Sequence, residues 1–469
     1  MRPLAQCVFY NQRMARLFPF RALRYDSNRI PHMADVVTQP YDKISPEMQD
    51  RYYAASPYNL IRVILGKKLT GDTEDGENVY TRAAATLQQW RDDGVLKQEN
   101  EPALYGYAQT YDVPGRPGEV RERRGFIALA QLHDYEDKVV YRHEQTFPKH
   151  KSDRLALFKA TRAYCEQIYM LYADPTFTAE KAIFDDSEGH VRRADLEIKD
   201  EYGVHHRLWK LTDPALIQRV LAAMQDKELI IADGHHRYET SVGYMHERAK
   251  ELGIDENAAP KTDKGLPAPA FPEQAMMMTF VNMAAPGITI LPTHRVVFGL
   301  KGFDADHFFG QAHPYFTVTP IQGAASKGAS EEAVLLEKLR ACDSVAFIAV
   351  TRQGAALLKP KSDAVEPLLE GLSPRQKQLD VTQLHKIVLE KLLGLDETAV
   401  RAGDNVRYLR EASEAIEQVR SGQANIAFLI KPVSLAQMRD VSLNLEVMPQ
   451  KSTDFYPKLL SGLAMYTLD

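Results

Sequence analysis

An α+β fold is the architecture this sequence predicts, and three features predict it. Residues 228–253, ELIIADGHHRYETSVGYMHERAKELG, pass from a short apolar run through Asp233-Gly234 into helical period, with Tyr238, Val242, Met245, Ala249 and Leu252 on one face. Residues 103–111 and 124–132 read as two strands turned by the proline- and glycine-rich 114–118, a β-hairpin. Strand-like and helical segments recur through the rest of the chain, so helices packed with strands in an α+β arrangement are expected.

The 469 residues, 44% hydrophobic and 26% charged, suit two or three domains of ordinary globular composition. A net charge of -5 leaves no excess of positive charge to grip a phosphodiester backbone, so no nucleic-acid partner is expected. Cys7, Cys165 and Cys342 lie far apart without a CxxC pair, which argues against a zinc knuckle or a disulfide framework and for a cytoplasmic protein. No apolar run approaches the ~20 residues of a membrane span, so no membrane partner is expected either.

In chain order, the residues before Phe18 read as an extension and FPFRALRYD at 18–26 as a strand. Ser45-Pro46-Glu47 opens a helix, with Ser45 as N-cap and the proline where a missing N–H costs nothing. YNLIRVIL at 58–65 has strand character, and 78–93 is helical up to Gly94. After the hairpin, Asp153 reads as the N-cap of a helix over 154–163. Then come a strand at 167–172, a hairpin-like pair at 182–184 and 194–198, and a strand at 204–211. On that last strand His205 and His206 face opposite sides and so cannot share one metal. A helix over 213–224 leads into the 228–253 stretch.

The proline-rich 258–272 reads as a long loop, followed by strands at 275–283 and at 288–297, ITILPTHRVV. Beyond Gly302 a separate unit begins. Its 323–328 segment lacks the lysine of GxxxxGK[ST] and reads as a linker. A strand at 344–350, helices over 381–393 and 411–421, and a strand at 424–430 complete it. The domain reading is therefore an N-terminal α+β module at 18–100, a core at 101–300, and a C-terminal α/β domain at 301–469 with an active-site tail.

Three polar runs carry candidate chemistry. In the first, Asp233, Gly234, His235, His236 and Arg237 stand where a helix begins. The first helical N–H groups have no partner within the helix and the macrodipole is positive, so an anion such as a phosphate is accommodated. The plain alternative is Asp233 as an N-cap and two surface histidines. The second, YRHEQTFPKHKSDRLAL at 141–157, offers His143, Glu144, Lys149, Lys151, Asp153 and Arg154. It is no zincin, because Phe147 stands where HExxH needs its second histidine, and a solvated charged loop is its plain alternative. The third, MPQKSTDFYPK at 448–458, places the phosphate-liganding types Lys451, Ser452 and Thr453 near the chain end. Arg295 in PTHRVV is a candidate anion clamp or an ordinary surface arginine.

These runs resemble a known family. ADGHHRYE at 232–239 is similar to the signature turn of the ParB and sulfiredoxin superfamily. FPFRALRYD, VVTQPYD, HEQT with KSDRLAL, IADGHHRYET, PTHRVV and MPQKST with FYPKLLSGL resemble, in order, the domain of unknown function ten-fifteen. The resemblance implies a ParB/sulfiredoxin-like mixed α/β core with an added N-terminal module. Within the superfamily the functional resemblance is to free-serine kinase, with its PHE triplet, DGHHR loop and SPKTT-like run. His143-Glu144, Asp233 to Arg237, and Pro449 to Thr453 stand in that order here. There are departures. Arg142 replaces the proline, His235 occupies sulfiredoxin's catalytic cysteine position, and the GERR-like turn and helix-turn-helix of ParB partition proteins are lacking.

The resemblance implies a phosphotransferase acting on free L-serine or O-phospho-L-serine, with ADP or ATP as cosubstrate and Mg2+ as cofactor. The direction from phosphoserine to serine is left open. Glu144, beside His143, would be the catalytic base. Asp233, Gly234, His235, His236, Arg237, Lys451, Ser452 and Thr453 would hold nucleotide and phosphate, and Arg154 and Arg295 the substrate carboxylate. The metal ligands are not assigned, and a homodimer is left open. Two rivals differ in kind: a phosphoserine phosphatase using water as acceptor, and a CTP- or ATP-binding switch without small-molecule catalysis.

Overall fold

The computed structural model describes residues 14–145, 148–185, 192–321 and 330–469, without the side chains at 148–150, 401 and 402. The 323–328 stretch, Phe147, the side chain of Lys149 and residues 1–13 of the expected extension lie outside the described residues. Helices and a mixed sheet are both present, as the α+β reading requires. Among the described residues, no helix is long and apolar enough to cross a membrane.

Contacts group the chain into two compact units. The first takes in the described residues up to Tyr141, those from 148 to Ile288, and Pro457–Asp469. The second takes in Arg142–Gln145 and the described residues of Thr289–Tyr456. Both are assembled from separated stretches, a different cut from the three consecutive segments proposed from sequence.

The first unit is built on a sheet with, among the described residues, nine strands. Its order is Val140–Tyr141, Leu229–Asp233, Ile168–Tyr172, Ala275–Asn282, Val120–Gln131, Leu104–Asp112, His205–Leu211 and Leu196–Lys199, with Leu17–Phe18 also paired to Val120–Gln131. Leu104–Asp112 and Val120–Gln131 form the expected hairpin, Tyr105 opposite Ile127. The central strands are apolar on the face that helices cover: Met276, Met278, Phe280, Ile168 and Met170 are buried in one core with Leu216, Ile217 and Val220 of helix Pro214–Met224. A second core in this unit gathers Leu23, Leu60, Val63, Ile64, Leu87, Trp90 and Met465.

Among the described residues, the second unit holds a six-stranded sheet in the order Phe316–Ile321, Ala355–Pro360, Phe347–Val350, Ile426–Ile430, His294–Val297, Val406–Leu409, with antiparallel neighbours throughout. A separate pair, Thr289–Leu291 with Asp454–Tyr456, fixes the end of the 448–456 run within the same unit.

The Ser45 helix signal acts as expected, with Ser45 accepting from Met48 N at the start of Pro46–Ala55; the helices expected over 78–93 and 213–224 are present, Asn78 forming a capping box on Val79–Asp92 and Asp213 capping Pro214–Met224. Other readings need correction. YNLIRVIL is no strand: Asn59 Oδ1 accepts from Ile61 N at 2.9 Å and starts the short helix Ile61–Ile64, an outcome that a brief apolar run does not distinguish by periodicity. The 182–184 segment lies in helix Thr178–Phe184, where Ala179 and Ile183 share the buried face, and Leu196–Lys199 pairs with His205–Leu211 instead. Asp153 sits inside helix Pro148–Thr161 and accepts from Tyr80 Oη at 2.8 Å. The 258–272 loop contains a small hairpin, Lys261–Asp263 with Leu266–Ala268. FPFRALRYD divides into Leu17–Phe18 and Leu23–Tyr25, and ITILPTHRVV into Thr289–Leu291 and His294–Val297 on either side of Pro292, which has no N–H for a ladder.

Candidate functional site

The DGHHR run is a strand, a one-residue turn and a helix, all in the first unit. Leu229–Asp233 is flanked by Val140–Tyr141 and Ile168–Tyr172, and its register shifts between Ile231 and Asp233, which leaves Asp233 opposite Tyr169. Asp233 therefore ends the strand, and the N-cap position that the plain alternative gave it is taken by Gly234, at φ 97°, ψ 24°. A side chain at 234 would be strained, and its Cβ would lie 3.0 Å from the Arg237 guanidinium. Helix His235–Leu252 follows and ends on Gly253.

Within this turn the side chains differ in exposure. His235 is buried, His236 half-buried, and Arg237 is buried beneath Gly234. Arg237 donates to the Gln167 carbonyl and lies 3.8 Å from the Asp233 carboxylate. The guanidinium thus braces the turn from within. Burial alone would lower its pKa, but the nearby Glu166, Asp233 and Asp42 charges raise it overall.

Glu166, unremarked in the sequence, links the neighbouring cations. It accepts from Tyr41 N at 3.0 Å and lies 3.6 Å from Arg154. Arg154, read as a substrate-carboxylate ligand, is buried over the Tyr41 ring at 4.0 Å, donates to Ile64 O at 2.9 Å, and pairs with Asp153. Its guanidinium is committed to the protein's own groups. Lys151 pairs with Glu239.

Lys458 is a second residue the sequence did not single out: its buried ammonium stands 3.8 Å from Asp233 Oδ1. The segment carrying it is fixed by a buried polar network. Gln109 Nε2 donates to Lys458 O at 2.7 Å, Arg123 to Pro457 O, and Gln167 Nε2 to Leu460 O at 2.9 Å. In the sequence Tyr41 stands out only as a member of the VVTQPYD run and Lys458 only as a member of the MPQKSTDFYPK and FYPKLLSGL runs.

The second unit contains the other centre. Arg142–Gln145 runs beside Met448, with Met448 N donating to His143 O at 2.8 Å. Glu144 Oε1 accepts from Ser452 N at 3.0 Å and Thr453 N at 3.4 Å, and Thr453 Oγ1 lies 3.5 Å away. The Thr453 hydroxyl is also 2.8 Å from His143 Nε2, and His143 is fully buried. Lys451 adopts φ 57°, and Ser452 Oγ closes the turn onto Pro449 O.

Arg295 holds this turn from the opposite side. Fully buried, it donates to Lys451 O at 3.1 Å, Gln450 O at 3.3 Å, Thr293 O and His385 Nε2 at 3.3 Å, over the face of Tyr408. Burial pulls its pKa down to about 10. Burial and then the Arg295 charge keep His385 neutral, so its Nε2 can accept. His385 lies on the π-wound stretch Leu384–Leu392 that continues Asp380–Gln383, in place of the regular helix expected there. Arg295 was read as a substrate ligand, yet its donors are committed to the Lys451 turn and its support.

For a metal, Asp233 is a hard oxygen donor at the end of its strand, 3.8 Å from both Arg237 and Lys458. Among the described residues, one His/Cys/Asp/Glu group has ligand atoms close together: Asp134, His246 and Glu256. There Glu256 approaches one imidazole nitrogen at 2.6 Å and Asp134 the other at 3.3 Å. The two carboxylates outweigh the effect of burial and raise the pKa of His246, as in a salt-bridge hub.

No protein of curated function matches the chain. Among solved structures, free serine kinase as a glutamate-to-glutamine mutant in complex with AMP is similar at 12% identity, over 76% of this chain and 95% of that one, with a TM-score of 0.37. A glutamate-to-alanine mutant of free serine kinase in complex with ADP gives the same values. SbnI with a C-terminal truncation, from Staphylococcus aureus, is similar at 11% identity over 73% and 87% of the two chains, with a TM-score of 0.34. The profile of the family described as Protein of unknown function (DUF1015) matches residues 17–382, most of the length, and the chain belongs to that family.

Proposed function

We propose that the protein is a phosphotransferase acting on free L-serine or O-phospho-L-serine, with ADP or ATP as phosphate donor or the corresponding product as acceptor. The observation that supports this reading most is the meeting of Glu144 with Ser452 and Thr453 from 308 and 309 residues away in sequence. A carboxylate set against backbone N–H groups and a hydroxyl joins a proton acceptor to phosphate-liganding groups, and phosphoryl transfer is mainly positioning and charge stabilisation.

In this reading the Asp233–Arg237 turn binds nucleotide phosphate. The amide groups of the first helical turn and the half-buried His236 face the anion, while Arg237 holds the turn's shape. Mg2+ held by Asp233 and the phosphates would spread their negative charge. Glu144 accepts the serine hydroxyl proton as the new P–O bond forms and the bond to the nucleotide breaks, and it returns the proton in the reverse direction. Lys451, Ser452 and Thr453 hold the phosphate carried by serine. The expected products are O-phosphoserine with AMP from ADP, or with ADP from ATP. Phosphorus NMR of purified protein with L-serine, Mg2+ and each nucleotide tests this, and a spectrum without O-phosphoserine in either mixture contradicts it.

A further inference from the structure

The Lys451–Thr453 turn is shaped as an anion cradle, and an anion of the protein's own is seated in it. The peptide joining Lys451 to Ser452 is oriented at both ends: its carbonyl accepts from Arg295 at 3.1 Å, and its N–H donates to Glu144 at 3.0 Å. Lys451 at φ 57° turns the next N–H, that of Thr453, toward the same carboxylate oxygen at 3.4 Å, with the Thr453 hydroxyl at 3.5 Å. Successive N–H groups converging in this way bind carboxylate or phosphate oxygens alike. Arg295 is buried and supported by His385 and Tyr408, so the cradle keeps its shape from behind whichever anion occupies it.

We infer that Glu144 is an internal stand-in for phosphate: a phosphate monoester takes over the Ser452 and Thr453 donors, and its arrival releases the Glu144 side chain for proton transfer. The inference rests on the reading of this centre as one that handles phosphate, and it adds an order of events. The carboxylate is hydrogen-bonded away from chemistry until the group it must serve is in place. His385 and Arg295 are then positioning residues, acting through the turn and not on the substrate.

The test is a titration of the 15N-labelled full chain with inorganic phosphate, following the Ser452 and Thr453 amides, for the wild type, Glu144→Gln and Glu144→Ala. Removing the competing carboxylate should raise phosphate affinity at these amides by about tenfold or more in Glu144→Ala. Glu144→Gln, whose neutral carbonyl still caps the turn, should fall between it and the wild type. Equal gains in both variants mean that charge alone matters and overturn the exchange, as does phosphate that never shifts the two amides. Each variant's amide spectrum also reports whether it has folded, and Glu144→Gln keeps the test open if Glu144→Ala has not. A wild type that shows the exchange yet transfers no phosphoryl group to serine removes the proposed reaction and leaves the exchange standing.

Discussion

The two centres are made in opposite ways. The Asp233–Arg237 turn is contiguous: a buried strand delivers it, Gly234 turns it, and Arg237 braces it from the following helix. The Glu144 centre is discontinuous, joining Arg142–Gln145 to the 448–453 run and depending on Arg295 and His385 from two further places. A contiguous site inherits its geometry from local backbone preference. A discontinuous one is only as accurate as the buried groups that pull its parts together, so the two should fail separately and under different substitutions.

The largest separation is expected from Glu144→Gln. Losing a general base costs on the order of 10²–10⁴ in rate, so turnover followed by phosphorus NMR should collapse, while nucleotide affinity by calorimetry stays within about twofold. Retained turnover removes Glu144 from the mechanism.

Next is Arg295→Met, which leaves the Gln450 and Lys451 carbonyls without their buried donor. Turnover should fall by about tenfold or more with nucleotide affinity again preserved, since a slight misplacement of catalytic groups is expensive. A parallel loss of nucleotide binding would show that the two centres do not fail independently.

A third contrast uses pH. Burial raises Asp380, in the second unit, to about 6 from 3.8, with Lys431 3.7 Å away opposing the shift. A folded-state pKa above the unfolded one means that the folded protein holds the proton more tightly. Its contribution is therefore favourable below about pH 4 and is lost as pH rises through about 6, a difference of about 3 kcal/mol. Asp380→Asn should remove that part of the slope between urea unfolding at pH 4.5 and pH 7.5. An unchanged slope would contradict the raised pKa of Asp380.

The smallest effect is expected from Gly234→Ala. The substitution strains φ 97° and crowds the Arg237 guanidinium, for a cost of about 1–3 kcal/mol in thermal or urea unfolding. Nucleotide affinity should weaken with it. Normal affinity at lowered stability would separate the turn's shape from its proposed role.

The same contrast explains what could be read in the sequence. The strand, turn and helix of 229–252 are legible because each depends on neighbours in sequence, as does the cap Ser45. Tyr58 to Leu65 and the 182–184 segment are helical where strands are expected, because short apolar runs fit a buried helix as well as a strand, and tertiary burial decides. Glu166 and Lys458 drew no notice, since one acid and one lysine carry no local pattern. Their meaning lies in Arg154, Tyr41 and Asp233, which the fold brings to them. Arg154 and Arg295 looked like substrate ligands because sequence shows a guanidinium and not its burial.

Direct transfer between serine and nucleotide is the central claim, and the reverse reaction tests it most directly. Purified protein with O-phosphoserine, Mg2+ and either AMP or ADP is followed in time by phosphorus NMR. The expected result is loss of phosphoserine matched one for one by ADP from AMP, or by ATP from ADP, with no reaction when nucleotide is omitted. Inorganic phosphate released at the same rate with or without nucleotide, or phosphoserine that persists throughout, would contradict it.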